Sequence, residues 1–143
     1  MKKETNAEAM VQLLASYPRR ISEYLLASIL LSEDYPELSE NLEELAVDEA
    51  ARFRLLGSML LRKGRDPAVR VLLRRGGRLS RGLDTADAET IERFLQGMTE
   101  QTEGLLREFQ RMLTVPEWES EDEAEALLQG EEAELRRLRN MLS

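Results

Sequence analysis

Four long segments of this sequence carry apolar residues at three- and four-residue steps, and this helical period constrains the fold more than any other feature. Pro36 and Pro116 begin the second and the fourth of these segments, and Pro67 follows the second. Pro18 lies inside the first segment, where it either kinks one helix or opens a second at its first position. Asp84 or Thr85 is expected to cap the third helix. The pattern predicts helices over about 6–33, 36–63, 86–113 and 116–142, joined by a connector over 64–84.

The predicted fold class is all-α, a four-helix bundle formed by one domain over residues 1–143. The first and second helices, and the third and fourth, are joined by short turns and are therefore expected to be antiparallel. The connector over 64–84 is long enough to run along the bundle. This favours the ferritin-like arrangement with one long crossover, with an up-and-down bundle carrying an ornamented loop as the alternative.

The composition excludes most familiar catalytic sites. The 143 residues include no Cys and no His, so disulfides, thiolate ligands, imidazole ligands and histidine general bases are all excluded. The net charge of −8 argues against general nucleic-acid binding. Because no long apolar segment or signal-peptide pattern is present, we expect a cytoplasmic protein with no membrane partner.

Polar residues interrupt the apolar stripes at inward positions. Glu49 lies seven residues from both Leu42 and Leu56, and Arg52 lies seven from both Leu45 and Met59. Glu131 and Glu134 interrupt the last stripe in the same way, and Thr102 interrupts the third. Since an isolated buried carboxylate is very costly, these groups are expected to be paired, protonated or bound to a metal ion.

Two segments resemble the ferritin-like superfamily, in particular its rubrerythrin and manganese-catalase-related bacterial members. LAVDEAARFRLLGSMLLRKGRDP, from Leu45 to Pro67, is similar to that family's second helix with its Glu-x-x-His pair, and GEEAE, from Gly130 to Glu134, is similar to its fourth. The resemblance implies a dimetal centre in which Glu49 and Glu131 are ligands. Arg52 and Glu134 stand where the family has histidine, and Thr102 stands where it has glutamate.

The equivalent ligand position on the first helix stays open among three residues. Tyr17 fits by its spacing from Tyr24, while Arg20 and Glu23 are the nearest charged candidates.

The leading interpretation is a relic site, in which Arg52 neutralises Glu49, Glu131 and Glu134 inside the bundle. The first alternative is an iron or manganese site that uses only those three carboxylates. The second alternative is that these side chains are exposed near a wide or frayed seam. The leading functional prediction follows from the first interpretation. It is a noncatalytic structural or interaction protein, with no catalytic residues and no cofactor, that associates with a second copy of itself as a dimer.

A basic patch lies in the predicted connector and suggests a third function. Its arginines are expected to pair with acids of this chain or of a second copy, or to bind an acidic protein partner; without aromatic residues for base stacking, nucleic acid is a less favoured ligand. The patch consists of Arg65, Arg70, Arg74, Arg75, Arg78 and Arg81.

Overall fold

The computed structural model describes residues 2–62, 83, 87–112 and 122–142. Within these residues the chain forms four long helices and no strand, which confirms the predicted all-α class. The predicted bounds differ from the observed ones by a few residues where both are described, as is usual for helix ends. The helices are α1 (Lys2–Leu31), α2 (Pro36–Arg62), α3 (Ala88–Met112) and α4 (Asp122–Leu142).

Helix α1 continues through Pro18 as one element. The proline lacks the N–H that would bond to the carbonyl of Leu14, so the helix loses one internal hydrogen bond there. Leu14 and Tyr17, before the proline, and Tyr24, after it, are all buried in the bundle. Burial of apolar surface on both sides of Pro18 therefore outweighs the local loss.

A short turn and a serine pair join α1 to α2. The Tyr35 amide donates to the Leu31 carbonyl at 2.9 Å, and the Ser39 amide donates to the Tyr35 carbonyl at 2.9 Å. The Ser28 hydroxyl donates to the Ser39 carbonyl at 2.9 Å, and the Ser39 hydroxyl donates to the Ser28 carbonyl at 2.7 Å. These reciprocal bonds hold the two helices close together in the antiparallel orientation expected from the short turn.

Asp87 caps helix α3, and it lies three residues after Asp84 and two after Thr85, the expected caps. Its side-chain oxygen Oδ1 accepts hydrogen bonds from the Thr90 amide at 2.8 Å and the Thr90 hydroxyl at 2.5 Å. Such a bond satisfies an amide that has no partner within the helix. The prediction that Asp84 or Thr85 would be the cap is corrected, since the helix begins at Ala88.

The buried apolar side chains form two clusters, one towards each end of the bundle. The first cluster joins the N-terminal half of α1 and the C-terminal half of α2 to the C-terminal half of α3 and the start of α4; it includes Leu14, Tyr17, Leu56, Leu60, Phe109 and Leu127. The second cluster joins the opposite halves of the same helices and includes Tyr24, Leu42, Leu45, Phe94, Met98 and Leu138. A layer of charged side chains lies between the two clusters.

Among the described helices, none is long and apolar enough to cross a membrane.

Candidate functional site: a buried layer of arginines and glutamates

The four helices each place a polar side chain in the layer between the two apolar clusters. Helix α2 contributes Glu49 and Arg52, three residues apart and therefore on one face. Helix α4 contributes Glu131 and Glu134 at the same spacing, and α3 contributes Thr102. Glu49, Thr102 and Glu131 are fully buried, and Glu134 is 2% exposed. The structure thus brings together all five residues of the predicted charge cluster.

Arg20 of α1 contacts the other three helices at once. Its Nε donates to Glu49 Oε1 at 2.7 Å, and its Nη2 donates to Glu134 Oε2 and to the Thr102 hydroxyl, both at 2.6 Å. Thr102 in turn donates to the Met98 carbonyl at 2.8 Å. Arg20 is 2% exposed, so these are charge-assisted hydrogen bonds in a site that water does not reach.

Arg52 of α2 binds both glutamates of α4. Its Nε donates to Glu131 Oε2 at 2.8 Å, and its Nη2 donates to Glu134 Oε1. The same Nη2 lies 3.8 Å from Glu49 Oε1 within its own helix. Glu134 therefore has one carboxylate oxygen on each arginine, and it also accepts a hydrogen bond from the Tyr24 hydroxyl at 2.7 Å.

Gly130 leaves room for the Arg52 side chain as it crosses from α2 to α4. A methyl group at residue 130 would lie 2.8 Å from Arg52 Cδ and 3.1 Å from its Nη1, which is too close for either atom to stay in place. The absence of a side chain at Gly130 is thus a requirement for the position of Arg52.

The balance of charges in this layer favours one bound proton. Three ionised carboxylates would carry three negative charges against the two positive charges of Arg20 and Arg52. Burial raises the pKa of Glu49 well above its usual range, although Arg20 opposes this effect. Burial also raises the pKa of Glu131, from 4.5 to about 7, with Glu134 adding to the rise and Arg20 opposing it.

Glu134 is the carboxyl group that stays ionised. Burial alone would raise its pKa, but Arg20, Arg52 and the Tyr24 hydroxyl together hold the pKa below its ordinary value. A protonated Glu49 would leave Glu131 and Glu134 to balance the two arginines, and the whole layer would then be neutral.

Several buried polar atoms of the layer have no hydrogen-bond partner in the structure. They are Glu49 Oε2, Glu131 Oε1, Arg20 Nη1 and the hydroxyl of Tyr17. The Tyr17 ring itself is fully buried and lies beside the Phe53 ring, with centroids 6.3 Å apart. Packing of the apolar ring therefore accounts for the burial of Tyr17, and the hydroxyl is buried along with the ring.

The three carboxylates are close enough to form a metal site, but the arginines already bind them. Glu49, Glu131 and Glu134 each offer one oxygen within 4.8 Å of the others, and carboxylate oxygens suit iron and manganese. Arg20 and Arg52 place two fixed positive charges among these oxygens. A cation would have to displace at least one guanidinium, so the residues in this arrangement do not fit a metal ion.

Two sequence expectations about this layer can be compared directly with the structure. The interpretation that these side chains are exposed at a frayed seam is wrong, because the glutamates are buried. For the first helix, Arg20 is the candidate that donates hydrogen bonds to Glu49 and Glu134, whereas Tyr17 and Glu23 are buried in the same helix. The available signal was position, since Arg20 lies three residues after Tyr17 and four before Tyr24 on the buried face.

The predicted basic patch lies outside the described residues. All of Arg65, Arg70, Arg74, Arg75, Arg78 and Arg81 fall between residues 63 and 82. Their predicted contacts with acids, an acidic partner or nucleic acid stay predictions.

Comparison of this chain with protein-family models, with curated proteins and with solved structures finds no match in any of the three.

Proposed function

We propose that this protein is a noncatalytic helical bundle that acts as a structural or protein-interaction module, and that its buried charged layer is a ferritin-like dimetal centre in which arginines stand in place of metal ions. The observation that carries the proposal is the position of the two guanidinium groups. Arg20 and Arg52 bind Glu49, Glu131 and Glu134, which are the residues that would otherwise be available to a cation.

An arginine differs from a metal ion in what it can do for a reaction. Its guanidinium group neutralises carboxylates and orients them through several N–H donors, but it has no redox chemistry and no open coordination position. A layer closed in this way stabilises the relative positions of the helices. It provides no group that would activate oxygen or water.

Helix directions support the ferritin-like part of the proposal. The start of α2 and the start of α3 belong to the same apolar cluster, as Leu42 and Phe94 illustrate, while the ends of both helices belong to the other, as with Leu60 and Phe109. Helices α2 and α3 are therefore parallel. The end of α2 and the start of α3 therefore belong to opposite ends of the bundle, and this supports the proposed long crossover of the ferritin-like arrangement.

A second candidate is an iron- or manganese-binding protein that uses carboxylates alone. The convergence of the three glutamate oxygens within 4.8 Å favours it. It requires that Arg52, the less buried arginine with a side chain 11% exposed, move away when the metal binds.

The test is the metal content and metal response of the purified protein. We expect no stoichiometric iron or manganese, and melting curves that coincide in EDTA, in manganese and in ferrous iron, since a ligand that binds only the folded state must raise the melting temperature. Glu49→Gln is the matched variant for the layer, and Glu44→Gln, on the exposed face of α2, is the surface control.

Two results would contradict the proposal. One is stoichiometric metal that raises the melting temperature and is lost in Glu49→Gln but retained in Glu44→Gln. The other is oxidase or peroxidase activity with the same dependence on Glu49.

A further inference from the structure

The C-terminal half of α1 exposes an apolar surface that no described part of the chain covers. Ile29 is 67% exposed, Leu25 is 42% exposed, and Leu26 and Leu30 are 40% and 39% exposed. Each of these residues has another of the set three or four positions away, so the four form one continuous strip along the helix. We call Leu25, Leu26, Ile29 and Leu30 the α1 strip.

The α1 strip has no exposed charge within it. Between Ile21 and Ser32 the only charged residue is Glu23, and the Glu23 side chain is fully buried. In a chain with 34% charged residues, an uncharged surface of this length is unusual. Exposed apolar patches on a folded protein commonly mark contacts with another molecule.

Another exposed apolar residue shows the contrast. Val47 of α2 is 63% exposed, about as much as Ile29, but it lies among Glu43, Glu44 and Asp48. Val47 is thus a single apolar residue in an acidic surface, which is ordinary for a folded protein. It provides a matched control for the α1 strip.

A positive charge lies beyond one end of the α1 strip, and a negative charge lies beyond the other. Arg19 lies in α1 seven residues before Leu26 and on the same face of the helix, and Glu33 lies seven residues after Leu26, in the turn that follows Leu31. Arg19 is half-buried and Glu33 is exposed. In an antiparallel pair of α1 helices centred on Leu26, each Arg19 would lie near the Glu33 of the other copy, because both residues are seven positions from Leu26 along the chain.

We propose that the α1 strip is a self-association surface, on which a second copy of this chain packs its own α1 in the antiparallel direction across a two-fold axis near Leu26. The strip packs against itself, and each copy contributes Arg19 to one end of the contact and Glu33 to the other. A two-fold contact of this kind uses the same surface on both copies and closes at a dimer. This inference rests on the proposed interaction function and names its partner.

The experiment is sedimentation of the full chain across a concentration series up to about 100 µM, since a contact of one helix face is small and a micromolar dissociation constant is expected. The variants are Leu26→Lys and Ile29→Lys in the α1 strip, with Val47→Lys as the control. Circular dichroism establishes that each variant keeps its helices.

We expect the original chain and Val47→Lys to dimerise alike, and both strip variants to sediment as monomers. Four results would overturn the proposal: a monomer at every concentration, a larger assembly than a dimer, a dimer that survives Leu26→Lys, or an equal loss in Val47→Lys.

Charge exchange tests the antiparallel direction independently. Arg19→Glu alone and Glu33→Arg alone each place like charges together at both ends of the contact, and each should weaken dimerisation by about tenfold. The double variant restores opposite charges and should restore the dimer. A double variant as weak as either single one would overturn the antiparallel arrangement.

The outcomes separate this inference from the proposed function. Bound redox metal would contradict the proposed noncatalytic function, but it would not change the interpretation of the dimer measurements. A chain that is strictly monomeric and free of metal would contradict the proposed dimer, but it would still agree with a buried layer in which arginines neutralise the glutamates.

Discussion

Arg20 is the residue at which all four helices meet. It lies on α1 and binds Glu49 of α2, Thr102 of α3 and Glu134 of α4. The stripe pattern placed the other members of the layer at inward positions, because the spacing of side chains along a helix determines which face they occupy. It could not choose Arg20 over Tyr17, since spacing alone does not tell how far a long flexible side chain reaches.

Arg52 offers a direct test of how strongly the buried charges depend on each other. Replacing Arg52 by Leu leaves Glu131 and Glu134 with one guanidinium fewer inside the bundle. We expect the free energy of unfolding to fall by about 3 to 5 kcal/mol, the usual cost of removing one partner from a buried ion pair. Urea unfolding measures the change.

Arg54→Leu is the control for that substitution, because Arg54 lies two residues away on α2 and is exposed. It should change stability by less than about 0.5 kcal/mol. Equal stability of the Arg52→Leu and Arg54→Leu variants would contradict the importance of the buried pair.

Tyr24 and Tyr17 allow the contribution of a buried hydroxyl group to stability to be measured separately from that of the ring. The Tyr24 hydroxyl donates to Glu134 at 2.7 Å, whereas the equally buried Tyr17 hydroxyl has no hydrogen-bond partner. Tyr24→Phe should therefore lower the free energy of unfolding by about 1.5 to 3 kcal/mol, the range for hydrogen bonds to charged groups. Tyr17→Phe should leave it unchanged or raise it.

Thermal and urea unfolding of both variants provide the measurement. A larger loss for Tyr17→Phe than for Tyr24→Phe would mean that the hydrogen-bond assignment in this layer is wrong.

At the scale of the helices, the approach of α2 to α4 depends on Gly130. The sequence shows glycines inside three of the helices, but the residues alone give no way to tell which of them meets another side chain. The distinction comes from Arg52, whose side chain fills the space beside Gly130. Gly57 has only Leu14 Cδ1 nearby, at 3.8 Å, and that is ordinary packing distance.

Gly130→Ala and Gly57→Ala should consequently change stability in opposite directions. Alanine in a helix is favoured over glycine by about 1 kcal/mol, so Gly57→Ala should stabilise the protein by up to that amount. In Gly130→Ala the new methyl group displaces Arg52, and a net loss of about 1 to 2 kcal/mol is expected after the helix gain. Urea unfolding of the pair measures both, and stabilisation by Gly130→Ala would contradict the observed path of Arg52.

Most of the helical architecture followed from sequence, whereas the ends of the helices were less accurately predicted. Long apolar stripes indicate helices reliably because tertiary burial acts on the whole face. The cap of α3 was misplaced because Asp84, Thr85 and Asp87 are all suitable N-cap residues. The backbone conformation decides which of them lies within hydrogen-bond distance of an amide that has no partner in the helix. That residue is Asp87, which accepts a hydrogen bond from the Thr90 amide.

For the molecule as a whole, the buried layer makes stability depend on pH. The folded chain binds protons at Glu49 and Glu131 more tightly than the unfolded chain does, because both pKa values are raised. Between pH 4.5 and about 7, set by Glu131, the folded state therefore holds more protons, and stability falls as the pH rises. Glu134 has the opposite effect: its lowered pKa adds stability above pH 4.5, and that stability is lost in more acidic solution.

The expected result is a melting temperature that is higher at about pH 5.5 than at about pH 8. Glu131→Gln should flatten this dependence, since its amide does not titrate. Glu125→Gln, an exposed change on the same helix, should keep it. A dependence that is identical in the two variants would show that the surface charge of the protein, and not the buried layer, is responsible.

The charged layer also bears on which of several similar packings the chain adopts. Leucine-rich faces look much alike from one turn to the next, so a helix displaced by one turn, about 5.4 Å, would still bury apolar surface. The same displacement of α4 along α2 would carry Glu131 and Glu134 past Arg52 and leave buried charges without partners. We infer that burial of the leucines holds the helices together without fixing their register. The pairing of the arginines with the glutamates then selects a single register of the helices.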